Sequence, residues 1–178
     1  MEVKVKRSIT FLATSVFVCV LFTMLGTPSL TEETMDIATI KVLSIPAPAF
    51  ELPNELASYE NNGVLSLNVE PQYIRAPLIL PNGTRINKVQ LVCKDNNADG
   101  SIRMWLHVFS NDLSESFTLG VAESEGAEDT YRVFSTTAIT PNKINNVDYN
   151  YFLNLRLPGA KEEGYEFVAA KIWYKGKW

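Results

Sequence analysis

The sequence predicts an all-β fold, an antiparallel two-sheet β-sandwich of jelly-roll or immunoglobulin-like type, after an N-terminal apolar signal or anchor helix and a linker. From residue 63 onward, short β-prone runs alternate with turns rich in Gly, Pro, Asn and Asp. No stretch keeps a helical period. The 178 residues are 46% hydrophobic and 20% charged, which is typical of one globular domain.

Residues 1–29 are predicted to be an export segment. Lys4, Lys6 and Arg7 form a basic start, and residues 9–25 form an uncharged apolar run. This run is longer than a usual signal-peptide core and lies at the short end of a membrane span. We therefore expect either a cleaved signal peptide or an anchor retained at residues 8–25. Both alternatives place the rest of the chain outside the cytoplasm, secreted or attached to the cell membrane by this segment alone.

Residues 30–62 are predicted to form a linker. Pro46, Pro48 and Pro53 favour extended chain and cannot donate to a sheet ladder. Within the linker, residues 37–45 form a short β-prone run. This run is an optional extra strand, which would pair either with its own domain or with a neighbouring molecule.

Residues 63–178 are predicted to be the sandwich domain, and the strands within it are short. The predicted strands are 64–69, 73–78, 86–94, 101–109, 117–122, 131–137, 150–157 and 167–174. The strand at 101–109 alternates clearly, with Ile102 and Met104 on one face and Arg103 and Trp105 on the other. A domain of this size can bury enough surface to fold without disulfides.

Several motifs of this domain resemble a recurring secreted prokaryotic β-sandwich domain of uncharacterised function. The resemblance spans about residues 72–174 and follows the pattern APxxLPxGxxI, then DN, then YxYxLxL, then IxY. The matching residues are Ala76, Pro77, Leu80, Pro81, Gly83, Ile86, Asp95, Asn96, Tyr149, Tyr151, Leu153, Ile172 and Tyr174. The resemblance implies a jelly-roll-like fold and supplies no catalytic residues.

The charge of the chain excludes one class of partner. Without Glu2, Lys4, Lys6 and Arg7, the 16 basic and 20 acidic residues fall to 13 and 19, so the exported part carries −6. A protein that binds nucleic acid needs a basic surface to neutralise phosphates. We therefore expect no nucleic-acid partner.

Catalysis finds little support in the sequence. The chain has two Cys and one His, and it lacks the G-x-S-x-G, H-E-x-x-H and P-loop motifs. Cys93 is expected to be a buried strand residue, with a reactive thiol or an intermolecular disulfide as the alternatives and His107 as the one imidazole available to it. We expect a protein that is not an enzyme.

One loop has the spacing of a calcium site. Asp95, Asn97 and Asp99, followed by Gly100, match the first part of a calcium loop, whose oxygen side chains stand at alternate positions. Leu106 stands where an EF-hand needs a bidentate Glu. The alternative, an Asx-rich hairpin turn, needs no metal and is favoured, so no cofactor is expected.

The outward side of the strand at 101–109 is the candidate ligand-binding surface. Trp105 and Phe109, with Arg103, would form an aromatic stripe suited to stacking on sugar rings or to a subunit interface. The simpler alternative, which the pattern favours, is that this face is the core of the sandwich.

The function predicted from these features is an exported or membrane-anchored, non-catalytic structural or interaction module, whose partners are itself or other surface proteins. A self-assembling module is the specific form, in which residues 37–45 complete a neighbour's sheet. A carbohydrate-binding module is the alternative, and an extracytoplasmic enzyme is a distant one. Asn82-Gly83-Thr84 is also a glycosylation sequon in a predicted turn.

Overall fold

A computed structural model describes residues 39–52, 57–59, 63–67 and 72–176. The predicted export segment, the beginning of the 37–45 run and Trp178 lie outside the described residues. Within the described ranges, no helix has the length and apolar character needed to cross a membrane.

The described chain consists of β-strands and two single 3-10 turns. The strands are β1 (Lys41–Pro46), β2 (Ala57–Tyr59), β3 (Leu65–Leu67), β4 (Gln72–Pro77), β5 (Arg85–Asp95), β6 (Arg103–Ser110), β7 (Ser116–Glu123), β8 (Glu128–Thr136), β9 (Tyr149–Leu157) and β10 (Tyr165–Lys175). The 3-10 turns are Ala47–Ala49 and Lys161–Glu163.

The strands form two antiparallel sheets, and every strand pairing is antiparallel. The first sheet has six strands in the order β2-β3-β10-β5-β8, with β1 also pairing with β10. The second sheet has four strands in the order β4-β9-β6-β7. The predicted all-β, two-sheet sandwich is confirmed, and each strand predicted after residue 63 overlaps an observed strand.

Strand β10 is the central strand of the six-stranded sheet. It pairs with β5 from Tyr165 to Lys175, with two register shifts. Its other edge is shared, because β1 pairs with residues 169–174 and β3 pairs at Phe167. Strand β10 therefore pairs with three strands that lie far from it in the sequence, β1, β3 and β5.

The core lies between the two sheets and follows from the period-2 alternation of the strands. In β6 and β9, every second residue is buried. Full burial of one aliphatic or aromatic side chain contributes about 1.5–3 kcal/mol, so these faces hold the sheets together. Core residues with no exposed surface include Leu91, Cys93, Met104, Leu106, Leu153, Leu155, Phe167 and Ile172.

The predicted linker must be corrected for residues 39–52, which are part of the sandwich. Strand β1 buries Ile45, and the 3-10 turn after it buries Ala47. Phe50 is 2% exposed, and its ring meets that of Phe167 edge-on at 4.9 Å. The prolines correctly indicated extended chain here. Extended chain with apolar side chains on one side, however, can pack on a core as well as serve as a linker.

The optional strand within 37–45 pairs with its own domain. Lys41 lies opposite Tyr174, and the pairing continues to Pro46. Pro46 ends the strand, where its missing N–H costs little. The sequence left a neighbouring molecule open as the partner, whereas the structure places the strand beside β10 of the same chain.

After β1, the chain crosses from the six-stranded sheet to the edge of the four-stranded one. The backbone N–H of Glu51 donates to the carbonyl of Arg75 in β4 at 2.7 Å. This bridge fixes the outer strand of the second sheet to the segment that carries Phe50.

Replacing Phe50 with alanine tests whether this segment is core or linker. We expect Phe50→Ala to lower the free energy of unfolding by about 3–5 kcal/mol, because a buried aromatic ring is lost and a cavity is left. The exposed neighbouring residue, Glu51, is the control. Glu51→Ala should change the free energy of unfolding by about 0.5 kcal/mol or less. Urea unfolding of both variants measures the difference. Equal stability of the two variants would contradict the corrected boundary.

Candidate functional site

The structure decides which face of β6 is core, and it is not the face that the sequence pattern favoured. Met104, Leu106 and Val108 point inward and are buried, so Trp105 and Phe109 stand on the outer face, half-buried. The interpretation of the Trp105 side as core is therefore wrong. The aromatic stripe faces outward because the purely aliphatic set fills the narrow space between the sheets.

The neighbouring strands extend this outer face. In the register of the sheet, Trp105 lies opposite Asn154 of β9, and Asn154 lies opposite Arg75 of β4. One row along, Arg103 and Tyr73 lie on either side of Arg156. We call this surface the aromatic–arginine face. Its residues are Tyr73, Arg75, Arg103, Trp105, His107, Phe109, Phe152, Asn154 and Arg156.

The rings on this face are partly exposed. The rings of Tyr73 and Trp105 have centroids 6.1 Å apart and planes inclined by 34°, and Tyr73 is 62% exposed. Phe109 meets Phe152 at 5.9 Å and His107 at 4.8 Å, both near edge-on. The planes of Tyr73 and Trp105 are therefore only tilted, whereas the other rings on this face meet near edge-on.

Three guanidinium groups surround these rings. Arg103 pairs with Glu123 of β7, with its Nε 2.6 Å from the carboxylate oxygen. The guanidinium of Arg75 lies over the ring of Phe109, 5.9 Å from its centroid. Among the described residues, neither Arg75 nor Arg156 has a carboxylate within 4.0 Å.

An amide also belongs to this face. The side-chain oxygen of Asn154, between Trp105 and Arg75 in the register, is buried and has no hydrogen-bond donor among the described residues. Such an atom costs about 1–3 kcal/mol relative to one that is paired. A donor from a bound molecule would satisfy it.

The protonation of His107 follows from its place on this face. Its Nδ1 lies 3.1 Å from the hydroxyl of Thr118. Partial burial, and then the nearby charge of Arg75, lower the pKa of His107 below its usual 6.5. His107 is therefore neutral at pH 7 and adds no charge to the face.

Sequence reasoning placed the four β6 residues of this surface, Arg103, Trp105, His107 and Phe109, on one face, and it missed the residues of the neighbouring strands. Arg103, Trp105 and Phe109 were predicted together, and the structure confirms that they share one outer face. Tyr73, Arg75 and Arg156 were missed as site residues, because their placement depends on the strand order β4-β9-β6.

The structure brings the predicted calcium residues together as a turn. The carboxylate of Asp95 is buried. It accepts a hydrogen bond from the hydroxyl of Ser124 and a second one, at 3.2 Å, from the backbone N–H of Asn97. The side chain of Asn97 accepts from the amide of Asp99 at 2.8 Å. These contacts are the Asx turns that the sequence offered as the alternative to a metal site.

Three acidic side chains between residues 123 and 129 are paired with cationic groups. Glu123 pairs with Arg103, Glu128 with Arg132, and Asp129 with Lys94. Among the described residues, no group of three or more His, Cys, Asp or Glu side chains has an arrangement that could hold a metal ion. The calcium site stays a prediction that this geometry does not strengthen.

A polar cleft of about 570 Å³ adjoins the aromatic–arginine face at one end. Its lining includes the cationic side chains of Arg103 and Arg156 and the polar or acidic side chains of Asn97, Asp99 and Glu163. One predicted ligand-binding residue, Arg103, and two predicted metal-binding residues, Asn97 and Asp99, therefore line the same cleft.

Cys93 cannot form a catalytic pair with His107. Its side chain has no exposed surface and lies on the inner face of the six-stranded sheet, whereas His107 lies on the outer face of the other sheet. Burial, and then the charge of Asp95, raise the pKa of the Cys93 thiol to about 12. The expectation of a buried strand residue is confirmed for Cys93.

Comparisons with known proteins give the fold and no family. No protein-family model and no curated protein matches the chain, so the sequence resemblance stays a prediction. The CBM36-1 domain of a multidomain xylanase from the hindgut metagenome of Trinervitermes trinervoides aligns with a TM-score of 0.50 and 13% identity, over 78% of this chain and 99% of that one. This likeness shows a shared sandwich fold.

Two further solved structures overlap less closely. A carbohydrate-binding module CBM36 in complex with calcium and xylotriose aligns with a TM-score of 0.46 and 15% identity, over 74% of this chain and 98% of that one. The xylan-binding module CBM15 aligns with a TM-score of 0.46 and 12% identity, over 76% and 97%. At these scores, neither adds to the conclusion on the fold.

The thiol of Cys93 provides a test of the core. We expect no modification of Cys93 by iodoacetamide at pH 8 in the folded protein, because only the thiolate reacts and burial suppresses it. In guanidinium chloride the same residue should be fully modified. Peptide mass spectrometry identifies the modified cysteine, and equal labelling rates in both conditions would show that Cys93 is not in a closed core.

The pKa of His107 tests the geometry of the outer face. Because the folded pKa lies below the unfolded value of 6.5, the unfolded chain binds more protons as pH falls through 6.5. The contribution of His107 to the free energy of unfolding is therefore fully present above pH 6.5 and declines as the pH falls below it. NMR titration of this single histidine should give a pKa below 6.5. Arg75→Gln should raise the pKa of His107, whereas Lys88→Gln on the other sheet should leave it unchanged. A pKa that rises in Lys88→Gln and not in Arg75→Gln would contradict the placement of Arg75.

Proposed function

We propose that this protein is an exported, non-catalytic carbohydrate-binding module, and that the aromatic–arginine face is its glycan-binding surface. The observation that carries the proposal is the outward Tyr73–Trp105 pair, 6.1 Å apart, beside Arg75 and Asn154. A monomeric soluble protein rarely exposes clustered aromatic rings unless they meet a partner.

The chemistry of the face suits a sugar better than an apolar partner. The ring faces of Tyr73 and Trp105 match the C–H side of a pyranose, since a flat apolar surface meets another. The surrounding guanidinium groups donate to sugar hydroxyls, and the side-chain amide of Asn154 both donates and accepts. A purely apolar partner would leave Arg75 and Arg156 desolvated and unpaired, which costs free energy.

The fold is compatible with this function. The solved structure with a TM-score of 0.50 is a CBM36-1 domain of a xylanase, and it has the same two-sheet sandwich. A shared fold carries no function by itself, so the proposal depends on the side chains of the aromatic–arginine face. It replaces self-assembly as the leading hypothesis.

The proposal of a non-catalytic role is supported by the state of the nearest carboxylate. Glu123, at the edge of the face, accepts a hydrogen bond from Ser101 and pairs with Arg103, and these contacts lower its pKa against the effect of burial. A glycosidase needs one carboxyl group with a raised pKa and a second one across the scissile bond. Glu123 is held as a structural anion instead.

The location outside the cytoplasm is part of the proposal and is supported by the sequence of residues 1–29, with its basic start and apolar run. A glycan-binding module has its polysaccharide ligands outside the cell. The same segment would hold the module at the membrane if it is retained, and would release it if it is cleaved.

Assembly with copies of itself or with other surface proteins is the second candidate function. Strand β8 is an edge of the six-stranded sheet, and it exposes Tyr131 at 51% and Val133 at 55%. An exposed apolar edge strand can pair with another chain. Light scattering over a concentration series tests this alternative, since a defined oligomer supports it and a monomer throughout removes it.

Alanine substitution of Trp105 tests the glycan-binding surface. We expect Trp105→Ala to weaken binding of soluble xylan by about 10- to 100-fold, because stacking buries most of one aromatic side chain. Affinity gel electrophoresis measures the change. Trp173→Ala is the matched control, since Trp173 lies on the outer face of the other sheet under the ammonium group of Lys88.

The two variants separate three outcomes. Loss of binding in Trp105→Ala alone supports the aromatic–arginine face. Loss in Trp173→Ala alone would move the site to the other sheet. No retention of the unaltered protein on any glycan in a panel of neutral and acidic plant and bacterial polysaccharides would remove the carbohydrate proposal.

A further inference from the structure

We propose that the glycan bound by this protein is acidic, a uronate-containing polysaccharide whose carboxylates pair with Arg75 and Arg156. The inference rests on the proposed function, because it names the class of sugar that the aromatic–arginine face selects. It is carried by the placement of charge on that face.

The face is positive on an acidic protein. Arg75, Arg103 and Arg156 lie on it, and Glu123 is the one carboxylate that pairs with them among the described residues. The whole chain carries a formal charge of −4. A positive patch on an otherwise acidic protein attracts anions.

Two of these arginines are placed against each other. Arg103 and Arg156 lie directly opposite in the pairing of β6 with β9. Like charges in that position destabilise a sheet, by an amount comparable to what an opposite pair contributes. Glu123 pairs with Arg103, whereas no carboxylate of a described residue lies within 4.0 Å of Arg156. An anion bound beside Arg156 would relieve this repulsion.

Arg75 supplies the second cation. In the pairing of β4 with β9, Arg75 lies diagonally from Arg156. The Cα atoms of two such diagonal neighbours are roughly 7–8 Å apart. No carboxylate of a described residue lies within 4.0 Å of the Arg75 side chain, which rests over Phe109 instead. A cation left on an aromatic ring keeps its donors available for a ligand.

The two cations border the ring faces on which a sugar would stack. Tyr73 precedes Arg75 by two residues on the same outer face, and Trp105 shares a row with Arg75 and Asn154. Arg156 lines the polar cleft together with Asp99 and Glu163, whereas the guanidinium of Arg75 lies over the ring of Phe109. A polysaccharide that stacks on these rings would thus meet Arg75 and Arg156 with the carboxylates of different sugar residues.

A carboxylate fits these donors better than a neutral hydroxyl does. A guanidinium group offers a planar fork that matches the two oxygens of a carboxylate, and such bonds are roughly twice as strong as neutral ones. The acidic character of the rest of the chain disfavours nucleic acid, whose continuous phosphate charge needs a larger basic surface. A sugar chain with spaced carboxylates satisfies both the rings and the arginines.

The test compares acidic polysaccharides with their own neutral forms. The full chain is titrated by calorimetry with glucuronoxylan and with polygalacturonate, each beside the same polymer after chemical reduction of its carboxyl groups. We expect at least one acidic polymer to bind about tenfold more tightly than its reduced form. The difference should shrink as the salt concentration rises from 50 to 500 mM, because exposed charges are screened.

Variants assign the effect to the two arginines. Arg75→Gln and Arg156→Gln should each reduce the preference for the acidic form, measured as the ratio of the affinities for the acidic and the reduced polymer, to about threefold or less. Lys171→Gln, on the six-stranded sheet, is the control and should retain the preference. Thermal unfolding should show that Arg156→Gln is no less stable than the unaltered protein, because it removes a like-charge pair.

The outcomes distinguish this inference from the proposed function. Equal binding of acidic and reduced polymers would overturn the acidic preference and leave glycan binding standing. Binding of neither form would contradict both. An acidic preference that survives in Arg75→Gln and Arg156→Gln, or that disappears equally in Lys171→Gln, would show unspecific attraction and overturn the assigned site.

Discussion

The burial of one side of strands β6 and β9 is the constraint on which the rest of this structure depends. Met104 and Leu106 on β6 pack inward against the other sheet, as do Leu153 and Leu155 on β9. Because side chains alternate along a strand, this burial forces the residues between them outward. A slip of the register by one residue would bury Trp105 and the arginines and expose the aliphatic set. The stability of the core and the composition of the outer face are therefore set together.

The outer face depends also on strand β4, which residues 39–52 hold in place. Strand β4 carries Tyr73 and Arg75, and it lies at the edge of the four-stranded sheet with β9 as its one partner. The bridge from Glu51 to the backbone of Arg75 secures its free side. Since Phe50 is buried beside Phe167, the segment once predicted to be a linker connects the central strand of one sheet to the proposed binding strand of the other.

Much of the fold could be predicted from the sequence, for a clear physical reason. Alternation and turn residues mark strands locally, and β6 and β9 show the pattern over their whole length. For β6 the choice between the two faces was wrong, because Trp105 and Phe109 are as apolar as Met104 and Leu106, although Arg103 and His107 on the same side are polar. That choice depends on which set fits the space between two sheets. The inclusion of residues 39–52 was missed because prolines at 46 and 48 suggested a spacer, while burial of Phe50 depends on a contact with distant Phe167.

The candidate site was predicted only where it lies on a single strand. Arg103, Trp105 and Phe109 follow one another at every second position of β6, so their common face is visible in the sequence. Arg75 and Arg156 come from strands that are far apart in the chain and meet through the pairing of β4 with β9. The like-charge opposition of Arg103 and Arg156 likewise exists only once the register is known.

NMR of the tryptophan side chains during a glycan titration tests the central claim most directly. Trp105 and Trp173 lie on the outer faces of different sheets, so the indole N–H of each reports on one surface of the same molecule. The account predicts that the Trp105 signal shifts progressively with added polysaccharide while the Trp173 signal stays in place. A shift of Trp173 alone, or saturable binding that moves neither signal, would contradict the assignment of the aromatic–arginine face as the site.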